Sequence, residues 1–478
     1  MSGRCVIASL VLLGAVLIVA AARGTLWFDE LLSLQWARSA KQPWQLVELY
    51  RHDNNHPLNT LWLMLAGEDR HPWLYRALSM VAGLVTLVLV WRTARRLSQK
   101  FAWIPLLLAA TSFPLVLYAS EARGYAPTLA CLLGAWLLVS GRGVGGEVWR
   151  VPLFWLLCLG SLFSHGTSLF ILAALGIYFV VGERDCATPW PGLLLRTAWW
   201  FGLPFLVCAV YWFFFLRLMI IAGGPEYTLT AVLAQFFGYA FGVPGAAQGH
   251  RILALAGLAL LVVALVFGRF PDRATRVFFL CAVLLLPSLS LLATDTTYLY
   301  FRYFLVCLPF VYLLAAPLAE RLGRLARGWR IAGALLLGIL VLGQIPRFAQ
   351  LISLGRGDYV SALRVIADDS SADKTIVSNN EMQVGFVLGH NKKLHTELAP
   401  LTLVPQARAA EQPTQWIVYV TQDDPPAPPG ASINLHGSSF RLVSFHRSAP
   451  VSGAHWAIYR RLGSAEINQA KAGDKATD

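Results

Sequence analysis

The chain has 478 residues, 56% of them hydrophobic and only 14% charged, with a formal net charge of +13. A soluble domain carries about 25% charged residues, so this composition excludes an ordinary soluble enzyme and indicates an integral membrane protein. The basic residues fall in short clusters between apolar runs, which is how a chain sets its orientation in a bilayer; the charge therefore reads as topological, and nucleic acid is not an expected partner.

In chain order, the first apolar stretch, "VIASLVLLGAVLIVAAA", reads either as a retained helix or as a cleaved signal peptide. Retention is preferred, because the acids just beyond it make more sense tethered to a helix. Runs long enough to cross a hydrocarbon core of about 30 Å occur at 6–22, 73–91, 101–118, 125–140, 148–164, 166–182, 197–221, 252–267, 277–293, 303–319 and 331–346. The expectation is thus a polytopic α-helical membrane protein of about eleven transmembrane helices. "HPLNTLWLMLAG" at 56–67 and "LTAVLAQFFGYAFGV" at 229–243 are shorter and read as interfacial or re-entrant helices.

With the N-terminus in the cytoplasm, "WRTARRLSQK", "GRGVGGEVWR", "GERDCATPWPGLLLR", "GRFPDRATR" and "ERLGRLARGWR" become inner loops, and each carries arginine. The opposite face receives "FDE", "NNHP", "SEARGY", "SHG", "TDTTYLYFRY" and the C-terminal third. The expected arrangement is therefore a multi-pass membrane protein with its polar chemistry on the outer side. A transporter of a lipid-linked glycan or small molecule is the alternative, but it should carry ionisable groups near the midplane on broken helices of an internal repeat. Cysteines 5, 131, 158, 186, 208, 281 and 307 lie in or beside apolar runs, with no disulfide framework or zinc spacing.

After about residue 347 the composition changes. "DYVSALRVIADDSS" has helical periodicity, while "KTIVSNN", "QWIVYVT", "SFRLVSFHR" and "HWAIYRRL" read as strands around a Pro-rich loop, "DDPPAPPGAS". The expected organisation is a transmembrane domain at 1–346 with a first outer loop at 23–72, a small extracytoplasmic α/β domain at 347–462 that covers a site or binds an acceptor, and a disordered tail at 463–478.

Five clusters offer chemistry. Asp29 and Glu30 in "LWFDELLS" either cap the next helix, since acids favour a helix N-terminus, or serve as a general base and its neighbour. In "YASEARGY", Glu121 and Arg123 stand between Tyr118 and Tyr125; they are an internal ion pair, or Arg123 offers its fork of donors to a phosphate. "YLYFRYF" places Arg302 and Tyr303 before a span, as an aromatic belt or as a second phosphate contact beside a wall for sugar or isoprenoid. His165 in "FSHGTS" is a structural histidine or a phosphate donor. "DNNHP" offers Asn54, Asn55 and His56 for loop hydrogen bonding or for substrate. No Walker loop, dinucleotide fingerprint, zincin helix or Ser/His/Asp order is present, so neither a nucleotide-bound donor nor a cofactor is expected.

Taken in order, "FDELLS", "HPLNTLWL", "WLYRALSMVAGLVTLVLVWRTARRL", "YASEARGYAPTL", "FSHGTSLF" and "YFRYFLVCLPFVYLLAA" resemble the GT-C glycosyltransferases related to protein O-mannosyltransferases and lipid A aminoarabinose transferases. The resemblance covers roughly residues 5–320 and is weaker beyond. It implies transfer of a sugar from a polyprenyl-phosphate carrier to a glycan, lipid or protein acceptor on the outer face of the membrane. The family's acidic pair at the active centre maps onto Asp29 and Glu30, and its "SQEARMY"-like segment onto Ser120, Glu121, Arg123 and Tyr125, here with Gly124 before the tyrosine. Its "HPPL" segment maps onto His56, Pro57 and Leu58, with the second proline missing. Some members hold a metal on an acidic motif; the first outer loop here has no Asp-x-Asp, so no metal is expected.

Overall fold

A computed structural model describes residues 3–68, 70–141, 147–221, 226–243, 250–293, 299–408, 414–422, 427–449 and 451–463. The expected disordered tail lies outside them from residue 464, as does the "DDPP" half of the Pro-rich loop. The chain divides into two compact units, one of Met1–Ala22, Trp36–Ala66 and Trp73–Phe348, the other of Arg23–Gln35, Gly67–Pro72 and Ala349–Asp478. Residues 23–72, read from sequence as one outer loop, are shared between the two.

The first unit is helical. Among the described residues, five segments are long and apolar enough to cross a bilayer: Arg4–Ala21, Pro72–Leu97, Trp190–Leu218, Phe301–Leu322 and Arg327–Ala367, the last of which runs on into the second unit. Two other apolar runs are broken for local reasons. The 101–118 run becomes Trp103–Ala110 and Phe113–Ala119, because Ser112 is extended, its hydroxyl accepts from the Leu115 N–H at 3.4 Å, and Pro114 favours a new helix start. The 277–293 run passes from Arg273–Leu280 through a π turn at Cys281–Leu285 into Leu286–Ala293. Its first helix starts where Asp272 accepts from the Thr275 N–H at 2.6 Å. The two shorter apolar pieces are helices, Pro57–Ala66 and Leu229–Phe241. The second ends at Gly242, whose φ of +70° places it in the left-handed region that glycine enters without a Cβ penalty.

Tyr125–Ser140 has no exposed residue and packs on Glu147–Ser164. Arg327–Leu342, by contrast, has no buried residue and exposes Leu335, Ile339 and Leu342. Apolar exposure of that extent marks a surface for lipid or for another protein.

The C-terminal part of the second unit is a six-stranded sheet: β1 (Thr375–Ser378), β2 (Thr402–Leu403), β3 (Trp416–Thr421), β4 (Ser432–Leu435), β5 (Ser438–His446) and β6 (His455–Arg461), in the order β2-β1-β3-β6-β5-β4. β1 pairs in parallel with β2 and β3, which requires a crossover, and helix Glu381–Leu394 supplies one before β2. The remaining pairs are antiparallel. Val377, Ile417, Phe440, Ala457 and Tyr459 form one buried cluster on the sheet. Helix Tyr359–Ala367 is tied to β6 by Tyr359, whose ring lies 4.7 Å from that of Trp456 and whose hydroxyl accepts from the Ala454 N–H at 2.9 Å.

Candidate active site

The turn between Phe113–Ala119 and Tyr125–Ser140 carries the "SEARG" residues into the interior of the first unit, where Ser120, Glu121 and Arg123 are all buried. Arg123 donates from Nη2 to Asn54 Oδ1 at 2.5 Å, and its guanidinium stacks 5.0 Å above the Tyr125 ring. Its own carbonyl accepts from Ser79 Oγ at 2.7 Å, so both ends of the residue are anchored. A planar guanidinium fixed in this way can present its donors to an oxyanion without reorganising.

Residues 52–56 lie alongside. Tyr303 donates to Asp53 Oδ2 at 2.8 Å, and Arg302 Nη2 is 3.8 Å from the same oxygen, its guanidinium 4.6 Å from the Tyr300 ring. Asp53 was not singled out in the sequence; it is the one acid in "DNNHP", and it places Arg302 and Tyr303 beside the loop. Asn55, expected to contact substrate, instead donates to the Leu46 and Tyr50 carbonyls at 2.5 and 2.8 Å and accepts from Thr60 at 3.0 Å. That residue holds the loop. Asn54, its neighbour, is the one that meets Arg123.

Two histidines complete the cluster. The rings of His56 and His165 lie 5.0 Å apart, and each packs on Tyr125, at 5.2 and 4.6 Å. His56, Glu121, Arg123, Tyr125, His165, Arg302 and Tyr303 therefore belong to one unit, in which Arg123 meets Asn54 and both Arg302 and Tyr303 meet Asp53. Asp29 and Glu30 belong to the other unit. There Glu30, buried at the start of helix Phe28–Ser39, accepts from the Trp27 N–H at 3.1 Å, the backward half of a capping box. Among the described residues no group of three or more His, Cys, Asp or Glu side chains could hold a metal ion.

Burial first, then the Arg123 and Arg302 charges, push His165 down to about 3, against the opposing pull of Asp53. His56 is likewise held well below its ordinary 6.5, by burial, Arg123 and His165, with its bond to Ser164 opposing. For Asp53, burial alone would raise the carboxyl, but the His52 hydrogen bond and the Arg302 charge hold it below 3.8. Both rings are therefore neutral at pH 7. Between about pH 6.5 and 3 the unfolded chain binds protons that the folded histidines refuse, so stability falls as pH drops through that window. The Asp53 contribution is present above pH 3.8 and lost only as pH falls through its lower folded value. The thermal midpoint of purified protein should be flat above pH 7 and decline below about 6.5, with a shallower decline in His165→Gln; an unaltered slope would mean that His165 is not the group involved.

No protein-family model matches the chain, and no curated protein matches it in sequence. Among solved structures it is similar to ArnT from Cupriavidus metallidurans in the apo state, at 11% identity and a TM-score of 0.50, covering 96% of this chain and 98% of that one. A second structure of that protein, bound to undecaprenyl phosphate, aligns at 10% identity and a TM-score of 0.49 with the same coverage. The likeness to the apo structure establishes the fold.

Proposed function

We propose that the protein is a GT-C glycosyltransferase of the inner membrane, with about eleven spans and an extracytoplasmic α/β domain, that moves a sugar from a polyprenyl-phosphate carrier to a hydroxyl acceptor on the outer face. The observation that carries this reading is the anchored Arg123, gathered with two neutral histidines on turns that the positive-inside rule assigns to the outer side, and with Arg302 at the start of the segment Phe301–Leu322. The fold shared with ArnT, one of whose structures is bound to undecaprenyl phosphate, agrees with it.

Breaking a glycosyl–phosphate bond leaves charge on the lipid phosphate, and Arg123 and Arg302 stabilise that charge as it develops. His165 adds an N–H to the same oxygens. Tyr125, Tyr303, Glu121 and His56 surround the sugar. Asp29 takes the proton of the attacking hydroxyl, and Glu30, by fixing the start of its helix, orients it. Direct attack inverts the anomeric centre. Phosphate is already a good leaving group, so no protein acid is required.

The test is mass spectrometry of purified protein in lipid nanodiscs, given a panel of polyprenyl-phosphate sugars. Release of polyprenyl phosphate that depends on added acceptor is the expected result. Translocation of donor with no covalent product would replace this reading with transport.

A further inference from the structure

The two histidines do not offer the same atom. His56 Nδ1 lies 3.0 Å from the Ser164 carbonyl oxygen. A carbonyl only accepts, so Nδ1 carries the proton of the neutral ring and Nε2 is a bare acceptor. His165 is the reverse: its Nδ1 accepts from the Thr167 backbone N–H at 3.2 Å and lies 2.8 Å from the Thr167 hydroxyl. Its proton therefore sits on Nε2, which is a donor. Both side chains are more than nine-tenths buried, and neither Nε2 has a hydrogen-bond partner among the described residues.

A buried polar atom left unmet costs free energy, and native interiors rarely tolerate one. Two such atoms of opposite kind, on rings 5.0 Å apart, define a ligand. An anionic oxygen suits the His165 N–H, but the same oxygen is repelled by the lone pair of His56. What meets His56 must bring a hydrogen. In a glycosyl phosphate, the donor nearest to the phosphate is the hydroxyl on the carbon next to the anomeric one.

We infer that His56 and His165 form an opposed-tautomer pair that reads the 2-hydroxyl and a phosphate oxygen of the same glycosyl phosphate, and so distinguishes the sugar-loaded carrier from the spent one. The inference rests on the donor class proposed above. It also assigns a role to Gly124, where the family pattern has a larger residue. A Cβ at Gly124 would collide with the Ser164 carbonyl oxygen and lie 2.9 Å from the His56 Cβ. Only glycine lets that carbonyl approach, and that carbonyl sets the His56 tautomer. Gly124 is a positioning residue.

Two measurements test this. Solid-state ¹⁵N spectra of histidine-labelled protein in nanodiscs, assigned with His56→Phe and His165→Phe, should show His56 protonated on Nδ1 and His165 on Nε2, and Gly124→Ala should disturb the His56 signal. The same tautomer on both rings overturns the pair, whether or not any donor binds. Binding is then measured for a polyprenyl-phosphate hexose, its 2-deoxy analogue and bare polyprenyl phosphate. Wild type should prefer the hexose by about tenfold or more over the other two. His56→Phe and Gly124→Ala should lose that preference, whereas His165→Phe should weaken all three probes. Equal wild-type binding of hexose and 2-deoxyhexose refutes the reading of the hydroxyl. Binding of none of them by protein with the expected tautomers refutes the donor class itself.

Discussion

Arg123→Lys should lower affinity for polyprenyl phosphate roughly a hundredfold, about 2–3 kcal/mol, while the protein still inserts and folds. Lysine keeps the charge, so a loss of this size would come from geometry. The wild-type guanidinium donates to Asn54 at 2.5 Å and stacks 5.0 Å over Tyr125, and these contacts fix where its remaining donors point. An ammonium is a compact, strongly hydrated point charge with no fork. Arg123→Ala is the poorer experiment, because removing a buried charged side chain with fixed partners typically costs about 3–5 kcal/mol of stability and would confuse folding with binding. The measurement is donor affinity in nanodiscs beside the thermal midpoint of the same preparation. Unchanged affinity would remove Arg123 from the phosphate site.

The same contacts show where the sequence was legible and where it was not. Residue types and sidedness marked the motifs: a guanidinium among tyrosines, a histidine in a helix break, acids beyond a first apolar run. Their pairings were not readable. Arg123 meets Asn54 across 69 positions, and Tyr303 meets Asp53 across 250, so only the fold says which residue of "DNNHP" serves the site. Asn55 and Asn54 are chemically identical, yet one is consumed by loop carbonyls and the other faces the arginine.

β-rich composition exposed β1 and β3, and alternation exposed β5 and β6. Neither could expose β2 and β4, of two and four residues, which exist because a neighbouring strand offers them a ladder. Helix Glu381–Leu394 was missed because "EMQVGFVLGHNKKL" contains two glycines; its start is set by Asn380, whose side chain accepts from the Gln383 N–H at 3.1 Å. Likewise, apolarity marks 101–118 as a single run, but a serine cap and a proline divide it.

Asp29→Asn is expected to reduce turnover by about 10³-fold, within the range that a positioned general base contributes, with donor affinity unchanged. The adjacent Glu30→Gln should stay within about threefold of wild type, because a capping box accepts glutamine in place of glutamate and the bond to the Trp27 N–H survives. The contrast separates two uses of an acidic pair at a helix start. Both residues stand in the first turn of Phe28–Ser39, so charge at the helix N-terminus is available to either. If that charge were all that mattered, the two amide substitutions would have similar, small effects, a few tenths to about 1 kcal/mol each. A base behaves differently: an amide has the shape of the carboxylate but cannot take the proton, so the chemical step alone slows. Single-turnover rates at saturating donor and acceptor isolate that step from binding. Normal turnover by Asp29→Asn would return both acids to the work of starting a helix and make another residue the proton acceptor.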